Sequence, residues 1–238
     1  MHLIRTVSVF GLSVSAVREH LAEFQQRFGR LKLKFRTKFP EVRVNILADE
    51  ADMEKLQESA AVEWVCRKLG QHAFSETGHS LEQVVGMLLR AQKATLAVAE
   101  SCTGGLVANL LTDVPGSSDY FLFSAVTYAN AAKVRILDVK AETLDRHGAV
   151  SEQTACEMAL GAKKAVDATY GLAASGIAGP EGGTEDKPVG TVCIGLATVH
   201  SVTGQRFKFK HTDRKRNKRI FAAAALDTLR KALLNELK

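Results

Sequence analysis

Hydroxyl, thiol and amine groups that could do chemistry gather in a few short stretches of this 238-residue chain. Glu100-Ser101-Cys102-Thr103-Gly104-Gly105 follows the apolar run Thr95–Ala99 and precedes Leu106–Leu111. Ser, Thr and two Gly between a strand and a helix put hydroxyls and free backbone N–H groups at a helix N-terminus, which suits an anion and equally suits an ordinary cap. Cys102 in that place is a candidate nucleophile, because a thiol's pKa falls near a helix N-terminus. Two further loops, Pro115–Ser118 and Ser175–Gly183, are read as ending strands as well. Ligands of open α/β sheets bind at the carboxyl ends of parallel strands.

Histidine is scarce around these loops: His72, His79, His147, His200 and His211 fall mostly in polar segments. Neither a Ser-His-Asp pattern nor an HExxH metal motif stands out. A serine nucleophile would need another base, and a lysine serves when burial or a neighbouring cation lowers its pKa. Tyr128 and Lys133 are close enough for one strand-to-helix corner to present both. On residue chemistry alone they read rather as a core-edge tyrosine and a surface lysine. Arg214-Lys-Arg-Asn-Lys-Arg219 places five positive charges at the start of the last helix, against its macrodipole. A phosphate or a non-specific nucleic-acid contact would each account for it.

The elements that must position these groups follow from periodicity. Thr6–Phe10 reads as a strand and Ser13–Phe28 as an amphipathic helix. Leu31, Leu33, Phe35 and Phe39 alternate with Lys32, Lys34, Arg36 and Lys38 as a half-buried strand with a basic face. Val42, Val44 and Ile46 mark another strand, and Asp52–Leu69 a helix. This β-α-β-β-α order predicts a small α+β domain over residues 1–76. The segment has no GxxG loop of the kind KH domains use to clamp RNA, so the basic face is expected to be solvated. The polar segment Gln71–His79 is read as the boundary. Ser80-Leu-Glu-Gln83 fits a capping box for the next helix.

Beyond it, residues 77–238 alternate strands and helices. The strands are Thr95–Ala99, Asp119–Ala129, Tyr170–Ile177, Thr191–Val199 and Arg206–Lys210. The helices start at Leu106, at Asn130 as a cap, at Ser151 as a cap, and near Lys215. Alternation predicts a three-layer α/β domain, with one antiparallel pair in a mixed sheet. Hydrophobic content of 46% and charged content of 24% fit a globular protein. No apolar run spans a bilayer, no signal peptide is evident, and the four cysteines are scattered. These predict a cytoplasmic protein, without disulfide, zinc or membrane partner.

Taken together, Ala99–Gly105, Gly116-Ser-Ser118, Val126-Thr-Tyr128 with Asn130 and Lys133, His147–Ser151, and Ser175–Pro180 through Lys187–Val192 closely resemble the CinA C-terminal domain. The match runs in order from about Leu81 to Leu237. Met1–Glu76 more loosely resembles the KH-like middle domain of full-length CinA proteins; the molybdopterin-binding-like domain that precedes it there is not matched. The resemblance implies an α/β/α mixed-sheet fold and a nicotinamide-nucleotide amidase. Such enzymes hydrolyse nicotinamide mononucleotide to nicotinic acid mononucleotide and ammonia, without metal or organic cofactor, as homo-oligomers. It implies Ser118, Tyr128 and Lys133 as catalytic residues. Ser101, Thr103, Gly104, Gly105, Ser175, Gly176 and Gly179 would line the substrate site, with Arg214 or Arg219 as its arginine. The competing expectation is a catalytically silent partner or nucleic-acid adaptor, which intact Ser118, Tyr128 and Lys133 argue against.

Overall fold

The computed structural model describes residues 2–48, 55–210 and 213–236. His211, one of the polar-segment histidines, lies outside the described residues, as does the expected helix start at Asp52. The chain forms two compact units, Met1–Val84 and Val85–Lys238.

The first unit contains β1 (His2–Val9), α1 (Val14–His20), α2 (Phe24–Arg27), β2 (Leu31–Lys38), β3 (Glu41–Ala48), α3 (Lys55–Leu69) and β4 (Ala73–Ser75). Its sheet is antiparallel, in the order β2-β3-β1-β4. The helix expected over Ser13–Phe28 is two helices, because the chain turns at Leu21–Glu23 to bury both Leu21 and Phe24. Phe24 and Phe28 meet Trp64, each with centroids 5.9 Å away. β2 is an edge strand whose Lys32, Lys34 and Arg36 are exposed, and such charges blunt edge pairing. The segment expected to be a polar boundary holds β4, and Thr77 bridges to Thr6. These contacts keep residues beyond Glu76 with the first unit. α4 (Leu81–Ala91) opens on the capping box, with the Ser80 N–H donating to Gln83 Oε1 at 2.9 Å.

The second unit runs β5 (Leu96–Glu100), α5 (Leu106–Thr112), β6 (Phe121–Val126), α6 (Asn130–Leu137), α7 (Ala141–His147), α8 (Glu152–Ala165), β7 (Tyr170–Gly176), β8 (Thr191–Ala197), β9 (Val202–Lys208) and α9 (Arg214–Asn235). Its sheet has the order β6-β5-β7-β8-β9. β5, β6 and β7 are parallel; β8 runs antiparallel to β7, and β9 antiparallel to β8. The antiparallel portion is thus larger than the single pair expected. α8 lies across β5, β7, β8 and β9 and carries α6 and α7, while α5 and α9 pack together and α9 lies on β7 and β8. This is the expected three-layer mixed α/β arrangement.

The small residues of α8 let it sit close to the sheet. A Cβ on Gly195 of β8 would lie 1.9 Å from the Ala155 carbonyl oxygen, so no other residue fits there. Ser151 caps α8, accepting from the Thr154 N–H. Asn130 does not cap α6: the cap position is Ala129, without a side-chain bond.

Candidate active site

β5 and β6 are parallel; after a register shift between Leu96 and Ala97, Ala97 lies beside Phe123 and Glu100 beside Val126. Whatever follows Glu100 therefore lies at the same end of the sheet as whatever follows Val126. Ser101 and Thr127 are those residues. The Ser101 N–H donates to Ala174 of β7 and the Thr127 N–H to the Glu100 carbonyl, extending both ladders by one step.

Lys133, on the second turn of α6, reaches back under this corner. It is only 1% exposed. Its Nζ lies 2.9 Å from the Thr127 carbonyl, 3.1 Å from the Tyr128 carbonyl and 3.2 Å from Ser101 Oγ. The surface-lysine reading fails here. Burial pushes its pKa below the ordinary lysine value, because a desolvated ammonium is disfavoured. A neutral amine has two N–H donors and one lone pair. Nζ stands as donor to both carbonyls and to Ser101 Oγ; once the amine is neutral, with its two N–H groups on the carbonyls, its lone pair is left for the Ser101 hydroxyl.

Ser118 is elsewhere. The Pro115–Ser118 turn precedes β6 rather than ending a strand, and Ser118 sits exposed in the 3-10 turn Ser117–Asp119. Six strand residues separate that turn from Thr127, about 20 Å at the usual rise. The expected Ser118–Lys133 pairing is not formed; the serine beside Lys133 is Ser101.

Tyr128 meets Lys133 through its carbonyl. Its side chain turns outward, 60% exposed, and its hydroxyl accepts from Arg214 Nη2 at 2.9 Å. Arg214 Nη1 also donates to the Gly179 carbonyl at 2.7 Å, and Asn217 donates to the Ala178 carbonyl at 3.0 Å. The glycine loop after β7 is thus tied to the start of α9. Asp213 caps that helix, accepting from the Arg216 N–H at 2.7 Å. Arg214 and Lys218, one turn apart, reach the site. A Cβ on Gly104 would lie 3.3 Å from Lys218 Nζ, and both Gly104 and Gly105 have positive φ. Arg219, exposed, is a residue further round. Lys218 was missed among the sequence candidates, although helical spacing from Arg214 points to it.

The remaining candidates divide. Thr103 is fully buried, its hydroxyl without a hydrogen-bond partner. Ser175 is buried and donates to the Ala149 carbonyl at 2.6 Å, which makes it a tie between loops. Gly176 ends β7 opposite Val192 of β8. Cys102 is 5% exposed, and burial pushes its thiol up to about 12. The low thiol pKa inferred from its position does not arise, because burial outweighs the backbone hydrogen bonds that lower it. Nor do hydroxyls cap α5. Glu100 does: its two carboxylate oxygens accept from the Val107 and Ala108 N–H groups at 3.1 and 2.9 Å. Among the described residues no cluster of three His, Cys, Asp or Glu could hold a metal ion. No helix among them is long and apolar enough to cross a membrane.

The family described as the CinA C-terminal domain matches residues 78–233. A CinA-like protein of Desulfosudis oleivorans is 52% identical over 232 residues, 97% of this chain and 56% of that protein. A CinA-like protein of Desulforapulum autotrophicum is 48% identical over 233 residues, 97% of this chain and 55% of that protein. The chain spans about half the length of these curated relatives. Among solved structures, a competence/damage inducible protein of Agrobacterium tumefaciens aligns with a TM-score of 0.62 at 37% identity, covering 65% of this chain and 93% of that one. A competence-damaged protein (CinA) superfamily member of Klebsiella pneumoniae aligns with a TM-score of 0.63 at 34% identity, covering 65% and 96%. By the matched domain and these relatives, the chain belongs to the CinA family.

Proposed function

We propose that the second unit is a nicotinamide-nucleotide amidase whose nucleophile is Ser101 and whose base is Lys133. The observation that carries this reading is the buried Lys133 amine, held by two carbonyls beside Ser101 Oγ. Ser101 Oγ attacks the carboxamide carbon while its proton passes to Lys133 Nζ. The tetrahedral intermediate collapses, and the Lys133 ammonium returns a proton to the departing amide nitrogen, which leaves as ammonia. Lys133, neutral again, deprotonates a water that attacks the nicotinoyl ester and frees Ser101 and the acid. The proton moves directly, because the Tyr128 hydroxyl is engaged by Arg214.

The phosphate of the substrate is assigned to Lys218 with Arg214. Two of the amides at the start of α5 already serve the Glu100 carboxylate, so an anion must be met by side chains instead. Lys218 Nζ beside Gly104 is a cation in the right place. The experiment is ammonia release from nicotinamide mononucleotide by the purified protein, with Ser101→Ala and Lys133→Ala inactive. Wild type that releases none, or a Ser101→Ala variant that still does, ends this reading.

A further inference from the structure

Glu100 is buried beside the two groups that do the proposed chemistry, yet its carboxylate touches neither. Its side chain is fully buried, and both its oxygens are spent on the backbone of α5. Its carbonyl accepts from Thr127 N–H at 2.8 Å, and the Thr127 carbonyl is the nearest partner of Lys133 Nζ at 2.9 Å. Ser101 is its neighbour in sequence. One residue therefore joins the helix behind the loop, the serine, and the peptide that holds the lysine.

We infer that Glu100 is a positioning residue. Its carboxylate, held by α5, fixes the peptide that sets the separation of Ser101 Oγ and Lys133 Nζ. This inference rests on the Ser101–Lys133 reading, though not on the identity of the substrate. A carboxylate suits the task because it accepts two N–H groups at once. A glutamine in its place keeps one acceptor and turns an NH2 group on the other amide. The end of β5 must then rotate to relieve that donor–donor contact, and Ser101 moves with it. A residue that merely capped α5 would change stability alone.

The test compares wild type, Glu100→Gln and Glu100→Ala well below their melting temperatures, with folding checked by circular dichroism. Ser101 reactivity is read by mass spectrometry as the rate of labelling by a fluorophosphonate, which needs no knowledge of the substrate. Ammonia release from nicotinamide mononucleotide is read in parallel. For folded Glu100→Gln, labelling is expected to slow about 10-fold or more. kcat should fall by the same factor, with KM changed less than about twofold. Glu100→Ala should lose more. Folded Glu100→Gln that labels at the wild-type rate overturns the inference, and so does wild type that never labels at Ser101. Normal labelling of wild type without ammonia release would instead sink only the choice of substrate. Should Glu100→Gln fail to fold, Val107→Pro, which deletes one of the two amides at the first turn of α5, is the second variant, with the same slowing expected and the same overturning result.

Discussion

Lys133→Met tests the base most directly. The substitution keeps the length of the buried stem and removes Nζ, so the site loses its proton acceptor while the packing is largely preserved. A positioned general base contributes typically about 10²- to 10⁴-fold, which at about 1.36 kcal/mol per factor of ten is roughly 2.7–5.5 kcal/mol of activation free energy. The loss should fall on kcat, with KM for nicotinamide mononucleotide little altered. The cost to folding is smaller. The buried Thr127 carbonyl loses its donor, about 1–3 kcal/mol, and the removal of a desolvated amine offsets part of that. Ser101→Ala should be as inactive as the double variant, because groups acting as one unit are not additive. The pH dependence follows from the lowered lysine pKa. In the proposed mechanism neutral Lys133 is the working form, so kcat/KM is expected to rise with pH along a limb whose midpoint lies below the free-lysine value of about 10.4. Stability moves the same way. Between the folded and unfolded pKa values the unfolded chain binds more protons, so stability rises with pH across that window and its lysine-linked part is absent from Lys133→Met. Coupled ammonia assays and thermal melts across pH read both. Lys133→Met retaining more than about a hundredth of wild-type kcat, the minimum loss expected of a general base being about 10²-fold, would refute the assignment. So would a limb centred at or above the free-lysine value.

Ser118→Ala should keep kcat and KM within about twofold of wild type, as an exposed residue remote from the site does; a large loss would return Ser118 to the mechanism. Cys102→Ala should stay mostly active, and native Cys102 should resist iodoacetamide near neutral pH, since its thiol titrates only at about 12. Rapid alkylation with inactivation would reverse that. Lys218→Ala should raise KM for nicotinamide mononucleotide about 10- to 100-fold, the equivalent of one charge-assisted bond of about 1.5–3 kcal/mol. Turnover of the phosphate-free riboside should be unchanged in that variant, and Arg219→Ala should behave as wild type. Equal effects of both substitutions on both substrates would remove phosphate from that corner.

What the sequence could convey depended on whether a local signal existed. The apolar run before Ser101, the Ser151 cap and the alternation in β2 are local, and each element lies where its pattern puts it. The pairing of Ser118 with Lys133 failed for a reason that local pattern cannot reveal. Hydroxyls before a strand and hydroxyls after one look alike in sequence, yet the strand's length separates them. The burial of Lys133 also has no local signature, since α6 presents Val134 and Ile136 to solvent and its apolar pattern does not mark the buried side. Glu100 ends an apolar run where an acidic residue usually marks the return to solvent. Only the return of α5 over the sheet turns it inward. β4 and α7 (three and seven residues) are too short for periodicity to register. β9 starts at Val202, ahead of the expected Arg206, because its pairing with β8 begins at the hairpin, where Val202 meets Ala197.

The chemistry of the corner depends on strand alternation. In β5 the side chains of Ala97 and Ala99 pack in the core with Met158, Ala159 and Ala162 of α8. Glu100 therefore points to the other layer, where it meets α5. Ser101 continues the alternation and returns to the layer of α6, where it meets Lys133. A slip of one residue would exchange the two. The carboxylate would then sit against the lysine and hold it protonated, as an opposite charge at close range does. The first amides of α5 would lose their acceptor. A lysine beside a serine, with the nearby acid held on the opposite face, thus requires the register that pairs Glu100 with both Val126 and Ala174.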